Sequence, residues 1–444
     1  MSRFIPSDTI YTMRIYYTMS NLTDHQYEVF NRITTDIQKG INGDSNFTLI
    51  ALNGYAGVGK TYLLSEIIKY FNNQYIQTVT APTHKAVKVI VDTLTENNCP
   101  KIDSRTIHSF LKLKLEDDHD SGKQKLSKNL WGDDGDENID ILYCDESSMV
   151  SNELLEYAVE KIEQGTLKVI VMIGDIFQLK PVDDNTTSEF IKMEQEYRLT
   201  EIVRQSLDNP IIATSQIIKE YIENEVYPPI DADLFSKLTV VSGRKEFMTK
   251  YFDDDTDKKI GTYTNDMVQR YNDYVRNLTK NKPKDCLMVG DFLEFQDTMF
   301  KGKKLIHLNS ETVEVASCTK MYDNYYNMSY WNVIDTEHVA FPVLDFEDQP
   351  EFKKRLDKMA KLASSTKDVN ERKQKWGQYF ALKNKYANVR YHYCSTLHRL
   401  QGSTVDNIYL DLSDLNNPWY DMDTVYRLIY VGITRARNEA IILL

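Results

Sequence analysis

The stretch GYAGVGKT, Gly54 to Thr61, follows the apolar run FTLIALN (47–53) and leads directly into TYLLSEIIKYF. A GxxxxGK[ST] pattern between a predicted strand and a predicted helix is the context of a phosphate-binding loop. Its glycines let successive backbone N–H groups close around phosphate oxygens, and the helix N-terminus adds a favourable dipole. In that geometry Lys60 reaches the β- and γ-phosphates and the Thr61 hydroxyl ligates Mg²⁺. Further short strands are predicted at YIQTVTA (75–81), IDILYCDE (139–146) and LKVIVMIGD (167–175), and a helix is predicted from near His84. This alternation predicts a parallel α/β sheet, in which ligands bind where strands end and helices begin.

The polar residues at those strand ends extend the same chemistry. CDES places Asp145 and Glu146 where one strand closes. Asp145 suits the metal, and Glu146 is a carboxylate able to orient and deprotonate an attacking water. The next strand runs into GDIFQLKPV, with Gln178 three residues past Asp175. An amide there can both donate and accept hydrogen bonds, so it can contact a γ-phosphate or its water.

A second α/β pattern starts at KIGTYT (259–264) with a helix from Asn265, and returns at VDNIYLDL (405–412) and AIILL (440–444). The interval reads as an insertion, with short alternating strands first and charged helices over roughly 349–388. A smaller insertion after Lys112 predicts a hairpin around Asp120-Ser121-Gly122. The final segment, YVGITRAR, carries Arg435 and Arg437 across a predicted helix-to-strand passage.

Net charge is -13, which taken whole disfavours a nucleic-acid partner. The distribution differs: residues 353–390 hold twelve Lys/Arg against three Asp/Glu, whereas 116–140 hold nine Asp/Glu against three Lys/Arg. An acidic body with a basic arm is one reading of the first stretch, and a solvated helix face is the other. The five cysteines are scattered without a CxxC pair, which argues against a zinc site or a disulfide framework. The longest aliphatic run, VIVMI (169–173), is far short of the ~20 residues of a membrane span. No membrane partner and a cytoplasmic location are expected.

In order, LTDHQYEVF, GYAGVGKT, APTHKAVKV, TIHSFL, CDESSM, GDIFQLKPV, RLTEIVRQ, YTNDMVQRYN, STLHRLQGSTVD and YVGITRAR span residues 22–438. This series resembles superfamily 1 DNA helicases of the RecD-like branch, Dda type. The resemblance implies two RecA-like P-loop NTPase motor domains, with a small β-hairpin insertion in the first and an SH3-like and helical insertion in the second. It implies domains at 19–110 with 141–196 and at 197–281 with 391–444, a pin at 111–140, and an inserted barrel-like and helical arm at 282–390. Residues 1–18 have no counterpart, and Met19 is an expected start.

The resemblance also implies roles. Gln26 would read the adenine edge, and Gly54, Ala56, Gly57, Val58, Gly59, Lys60, Thr61 and Tyr62 would hold ATP. Thr61 and Asp145 would hold Mg²⁺. Lys60, Asp145, Glu146, Gln178, Arg204 and Arg435 would catalyse hydrolysis, with Arg437 supporting Arg435. Pro82, Thr83, His84, Lys85, Thr106 and His108 would grip the single-strand backbone, matched by Thr396, His398, Gln401 and Gly402. Pro210 fits a hinge between the motors, and Phe110 and Trp131 are candidates to stack a base.

The implied activity is an ATP-dependent helicase moving 5′ to 3′ on single-stranded and forked DNA. It would act as a monomer in phage-type replication, beside proteins such as a single-strand binding protein. Three rivals stay open: a nucleotide kinase, a DNA-stimulated translocase that unwinds little, and a DNA-binding scaffold with a relic nucleotide site. An ATPase assay with and without single-stranded DNA separates the first, since a kinase has no need of the polymer.

Overall fold

The structure, a computed structural model, describes residues 22–122, 124–128, 137–179, 193, 195–201, 209–280, 286–301, 304–415 and 420–444. The expectations for residues 1–18, Trp131 and Arg204 lie outside them. The chain forms two compact units. The first comprises the described parts of Met1–Lys112, Leu130–Thr256 and Leu400–Leu444; the second comprises Leu113–Asn129 and Asp257–Arg399.

The first unit contains a six-stranded sheet in the order Asp103–Thr106, Gln77–Ala81, Ile139–Cys144, Leu167–Gly174, Leu49–Gly54 and Gln195–Leu199. Every pair in it is parallel. The central strands are continuous apolar runs because both sheet faces are covered; Ile50, Leu52, Ile141 and Val171 have no exposed surface. Gln195–Leu199 was not anticipated as a strand, since its sequence, QEYRL, carries only two large apolar side chains. Three further parallel strands, Thr239–Val241, Ala436–Leu443 and Val405–Asp411, lie side by side in that order. Pro210 is the first residue of a helix, Pro210–Glu223, capped by the Asn209 side chain. It is the helix-initiating position that proline suits.

The second unit holds the parallel pair Lys258–Thr262 and Cys394–Thr396, with the helix Asn265–Lys280 against them. A five-stranded antiparallel sheet follows, ordered Ala340–Leu344, Met328–Asp335, Thr312–Asp323, Phe292–Phe295 and Val389–Tyr391. Leu293, Phe295, Val315, Val333 and Phe341 pack into its core. The charged stretch forms two helices, Gln349–Ser365 and Val369–Lys383, whose contact is built on Ala363, Trp376 and Phe380.

The predicted hairpin is present in this same unit, with Leu113–Asp117 antiparallel to Gln124–Lys128. Its acidic turn is exposed and is also in contact with the second arm helix. Asp120 pairs with Lys373 at 3.2 Å, and the His119 ring stacks on Phe380 with centroids 5.6 Å apart. One acidic residue of the turn is thus paired with one basic residue of the arm.

Candidate functional site

The phosphate loop connects the strand ending at Gly54 to the helix Lys60–Phe71. Gly57 and Gly59 adopt φ of +82° and +79°, the left-handed region that glycine enters without a Cβ penalty. A Cβ on Gly54 would come within 2.7 Å of Val58, so the tight closure also needs glycine. Gly59 caps the helix without any side-chain bond, which leaves the first-turn amides, including those of Thr61 and Tyr62, to a ligand. The Lys60 ammonium donates to the Gly54 and Tyr55 carbonyls at 2.6 and 3.2 Å and is thereby held over the loop. A phosphate fits this cradle, since every donor in it is a backbone amide or an ammonium.

Asp145 and Glu146 follow the strand Ile139–Cys144, and the Asp145 N–H is fixed by the Thr80 carbonyl at 2.8 Å. Burial and the neighbouring Glu146 carboxylate push the Asp145 carboxyl up to about 7, against the pull of the Glu146 N–H and of Lys60. Glu146 sits at φ 49°, a conformation costing a non-glycine residue on the order of 1 kcal/mol or more, of the kind that clusters at active sites. Among the described residues no three His, Cys, Asp or Glu converge on one point. An Mg²⁺ held by Thr61 and Asp145 would complete its shell with phosphate and water, as that ion usually does.

Arg435 lies in the turn between the helix Met422–Ile433 and the strand Ala436–Leu443, and only 7% of it is exposed. Its guanidinium donates to the carbonyls of Val431 and Ser403 and reaches within 3.9 Å of Glu146. The solvated helix-end reading is excluded for this residue. Arg437, expected to support it, is instead largely exposed and pairs with Asp406 on the adjacent strand at 3.5 Å.

Gln26 is buried, and its role is partly local. Its side chain and that of Thr23 form a reciprocal capping box on the helix Asp24–Ile41, typically worth about 1 kcal/mol. Its amide also donates to the Val58 carbonyl in the phosphate loop at 2.9 Å. The sequence LTDHQ carries that T-x-x-Q signal openly.

The strand-grip candidates divide. Thr83 and Thr106 are N-caps, accepting from the Ala86 and Ser109 amides, each at 3.2 Å; Thr106 is buried. His84 is exposed and His108 half-buried, close enough that burial and then the charge of His84 lower the His108 pKa. Ala81 pairs with Thr106 across the sheet, so the segments that carry these candidates start side by side. Gly402, at φ 71°, lies over them: a Cβ there would be 3.5 Å from Ala86 and 3.7 Å from the Thr83 hydroxyl. Gln401 is buried and donates to the Gln178 side-chain oxygen at 3.1 Å. In the second unit Thr396 is buried, and burial lowers the pKa of His398 beside Tyr263. Phe110 is 7% exposed and lies under the Arg105 guanidinium, a core position with no face for a base.

Residues 22–226 match the AAA domain family, and residues 391–443 match the UvrD-like helicase C-terminal domain. The chain is 25% identical over 464 residues to the ATP-dependent DNA helicase dda of Enterobacteria phage T4, spanning 95% of this chain and 99% of that protein. Over nearly its whole length the chain is thus similar to a superfamily 1 helicase of the Dda type. Its fold is that of a Pif1 helicase solved in a study of unwinding at forked duplex DNA, with a TM-score of 0.52 and 16% identity over 95% of this chain and 92% of the other. Pif1 of Bacteroides bound to single-stranded DNA gives 0.51 and 16%, covering 92% of each.

Two residues of the site were not legible in the motifs. The Tyr430 hydroxyl, fully buried, accepts from the Ala56 N–H of the phosphate loop at 3.1 Å and donates to Asp175 at 2.7 Å. One turn earlier Arg427 donates to the carbonyls of Ile176 and Gln178 at 2.6 and 3.2 Å. A tyrosine in the apolar run YRLIYVGI reads as core, and only the folded contact distinguishes it. Among the described residues no helix is long and apolar enough to cross a membrane.

Proposed function

We propose that this chain hydrolyses ATP with Mg²⁺ to travel along single-stranded DNA, 5′ to 3′, and to separate the strands of a duplex. The observation that carries this reading is the contact of Gln401 with Gln178 at 3.1 Å, beside the close approach of Gly402 to Thr83. A residue suited to sensing a γ-phosphate and a residue of a strand-gripping loop are bonded to each other. A change at one is therefore felt at the other, which a motor needs and a nucleotide kinase does not.

Bound Mg²⁺–ATP supplies the phosphoryl group whose transfer to water drives the cycle. Lys60 and the loop amides hold the phosphate chain, and Thr61 and Asp145 hold the ion. Glu146 orients water and accepts its proton, and Arg435, 3.9 Å from Glu146, brings positive charge to the same place. Charge stabilisation by such a guanidinium is worth about 10³ to 10⁵ in turnover. Pro82, Thr83, His84, Lys85, Thr106 and His108 form one backbone grip, and Thr396, His398, Gln401 and Gly402 form the other. Small donors of this kind suit phosphates without reading sequence. The hairpin braced on the arm helix serves as the wedge, since a loose hairpin would yield to a duplex instead of splitting it.

Its partners are single-stranded and forked DNA and, in replication, a single-strand binding protein. It works as a monomer in the cytoplasm of a phage-infected bacterium. The direct test is ATP hydrolysis with and without single-stranded DNA. Stimulation by the polymer, abolished in Lys60→Ala, supports a DNA motor; hydrolysis indifferent to DNA would sink it.

A further inference from the structure

The helix Met422–Ile433 does more than deliver Arg435. On one of its faces, Arg427 and Tyr430 are three residues apart, the spacing at which helical side chains are neighbours. Both reach the turn that carries Gln178. Arg427 is itself held by Asp423 at 2.8 Å and takes the carbonyls of Ile176 and Gln178. Tyr430 takes the Asp175 carboxylate through one oxygen, and the other oxygen of that carboxylate accepts the Phe177 N–H at 3.0 Å. The turn is thus clasped by its carbonyls and by the carboxylate that shapes it.

The same phenol oxygen accepts the Ala56 N–H. A hydroxyl has one proton and two lone pairs, so it can donate to Asp175 and accept from Ala56 at once. Asp175 and Tyr430 are each about 1% exposed, and a hydrogen bond to a carboxylate in such a setting is among the strong ones. Burial and the Asp175 charge raise the phenol pKa well above 10, so the proton stays on Tyr430 and the donor role is fixed.

We infer that Tyr430 is a positioning residue for ATP hydrolysis: its hydroxyl links the phosphate loop at Ala56 to Asp175 and so sets where the Gln178 amide stands relative to the nucleotide. Gln178 in turn bonds Gln401. The chain of contacts therefore runs from a backbone amide of the phosphate loop, through one phenol and one carboxylate, to a residue of a strand-gripping loop. Tyr430 touches no reacting atom in this account. This inference rests on the DNA-stimulated ATPase reading above.

Tyr430→Phe in the full chain removes the link and keeps the ring that packs edge-on against Phe177. At saturating single-stranded DNA, kcat for ATP should fall about 10- to 100-fold, the range spanned by losing a hydrogen bond to a charged group, while KM for ATP changes less than about threefold. Asp175→Asn should show the same split, and the double variant should be no worse than the worse single one, because both remove one link. Thermal melting of each variant guards against misfolding, and if Tyr430→Phe melts early, Asp175→Asn alone decides. A wild-type kcat in a folded variant, a rise in KM at constant kcat, or additive losses would each overturn the assignment. If the unaltered protein shows no DNA stimulation, the functional reading fails instead, and the two failures are distinct.

Discussion

Gly122, at the turn of the hairpin, lies so close to the Trp376 indole of the arm helix that a Cβ would fall 2.2 Å from ring atoms. Its φ of +70° already favours glycine. With the Asp120–Lys373 pair and the His119–Phe380 stack, this fixes the turn on the helix. Gly122→Ala should therefore push the hairpin off the arm, since left-handed strain and overpacking together cost about 2 kcal/mol or more. DNA-stimulated ATPase should stay within a few-fold while base pairs opened per ATP fall. Equal unwinding per ATP in the variant would remove the wedge role from this hairpin.

Much of this architecture is legible in the sequence, for physical reasons that also set its limits. The strand–glycine turn–helix at Gly54–Thr61 and the acidic strand end at Asp145 are local patterns whose geometry follows from backbone rules. Arg435 needed its motif, because a lone arginine at a helix end reads as solvated; in the fold it is buried against Val431 and Ser403. The docking of Gly122 on Trp376 and the bridge from Tyr430 to Ala56 join residues more than 250 positions apart in sequence, and no local pattern announces such approaches. Thr83 and Thr106 show the reverse: hydroxyls suited to phosphate are also helix caps, and their capping bonds are what the fold displays.

Lys60→Ala should abolish ATP hydrolysis and leave single-stranded DNA binding within about threefold, because the grip residues stand on other loops. Fluorescence anisotropy of a labelled oligonucleotide measures the second quantity. Loss of DNA binding in a variant that still melts normally would contradict the separation of the two sites.

Arg435→Ala should retain nucleotide binding and lose about 10³-fold or more in kcat, as expected for charge acting in the transition state. The melting temperature should also drop, because the carbonyls of Val431 and Ser403 lose their donor. Parallel loss of affinity and turnover would mark Arg435 as a ground-state ligand.

Lys353, Lys354, Lys358, Lys361 and Lys367 of the arm are exposed. Changing all of them to Gln should weaken DNA binding and flatten the dependence of log K on log salt by about 0.7 to 0.9 for each DNA phosphate that the arm no longer neutralises. An unaltered slope would return the arm to the role of a solvated face that braces the hairpin.

Strand displacement on matched duplexes bearing a 5′ tail, a 3′ tail or no tail, with ATP and Mg²⁺ and the Lys60→Ala protein as control, tests the central claim most directly. The account predicts ATP-dependent unwinding of the 5′-tailed duplex and little of the others. ATP hydrolysis stimulated by single-stranded DNA with no unwinding of any substrate would contradict the assignment as a helicase, and unwinding confined to the 3′-tailed duplex would reverse its direction.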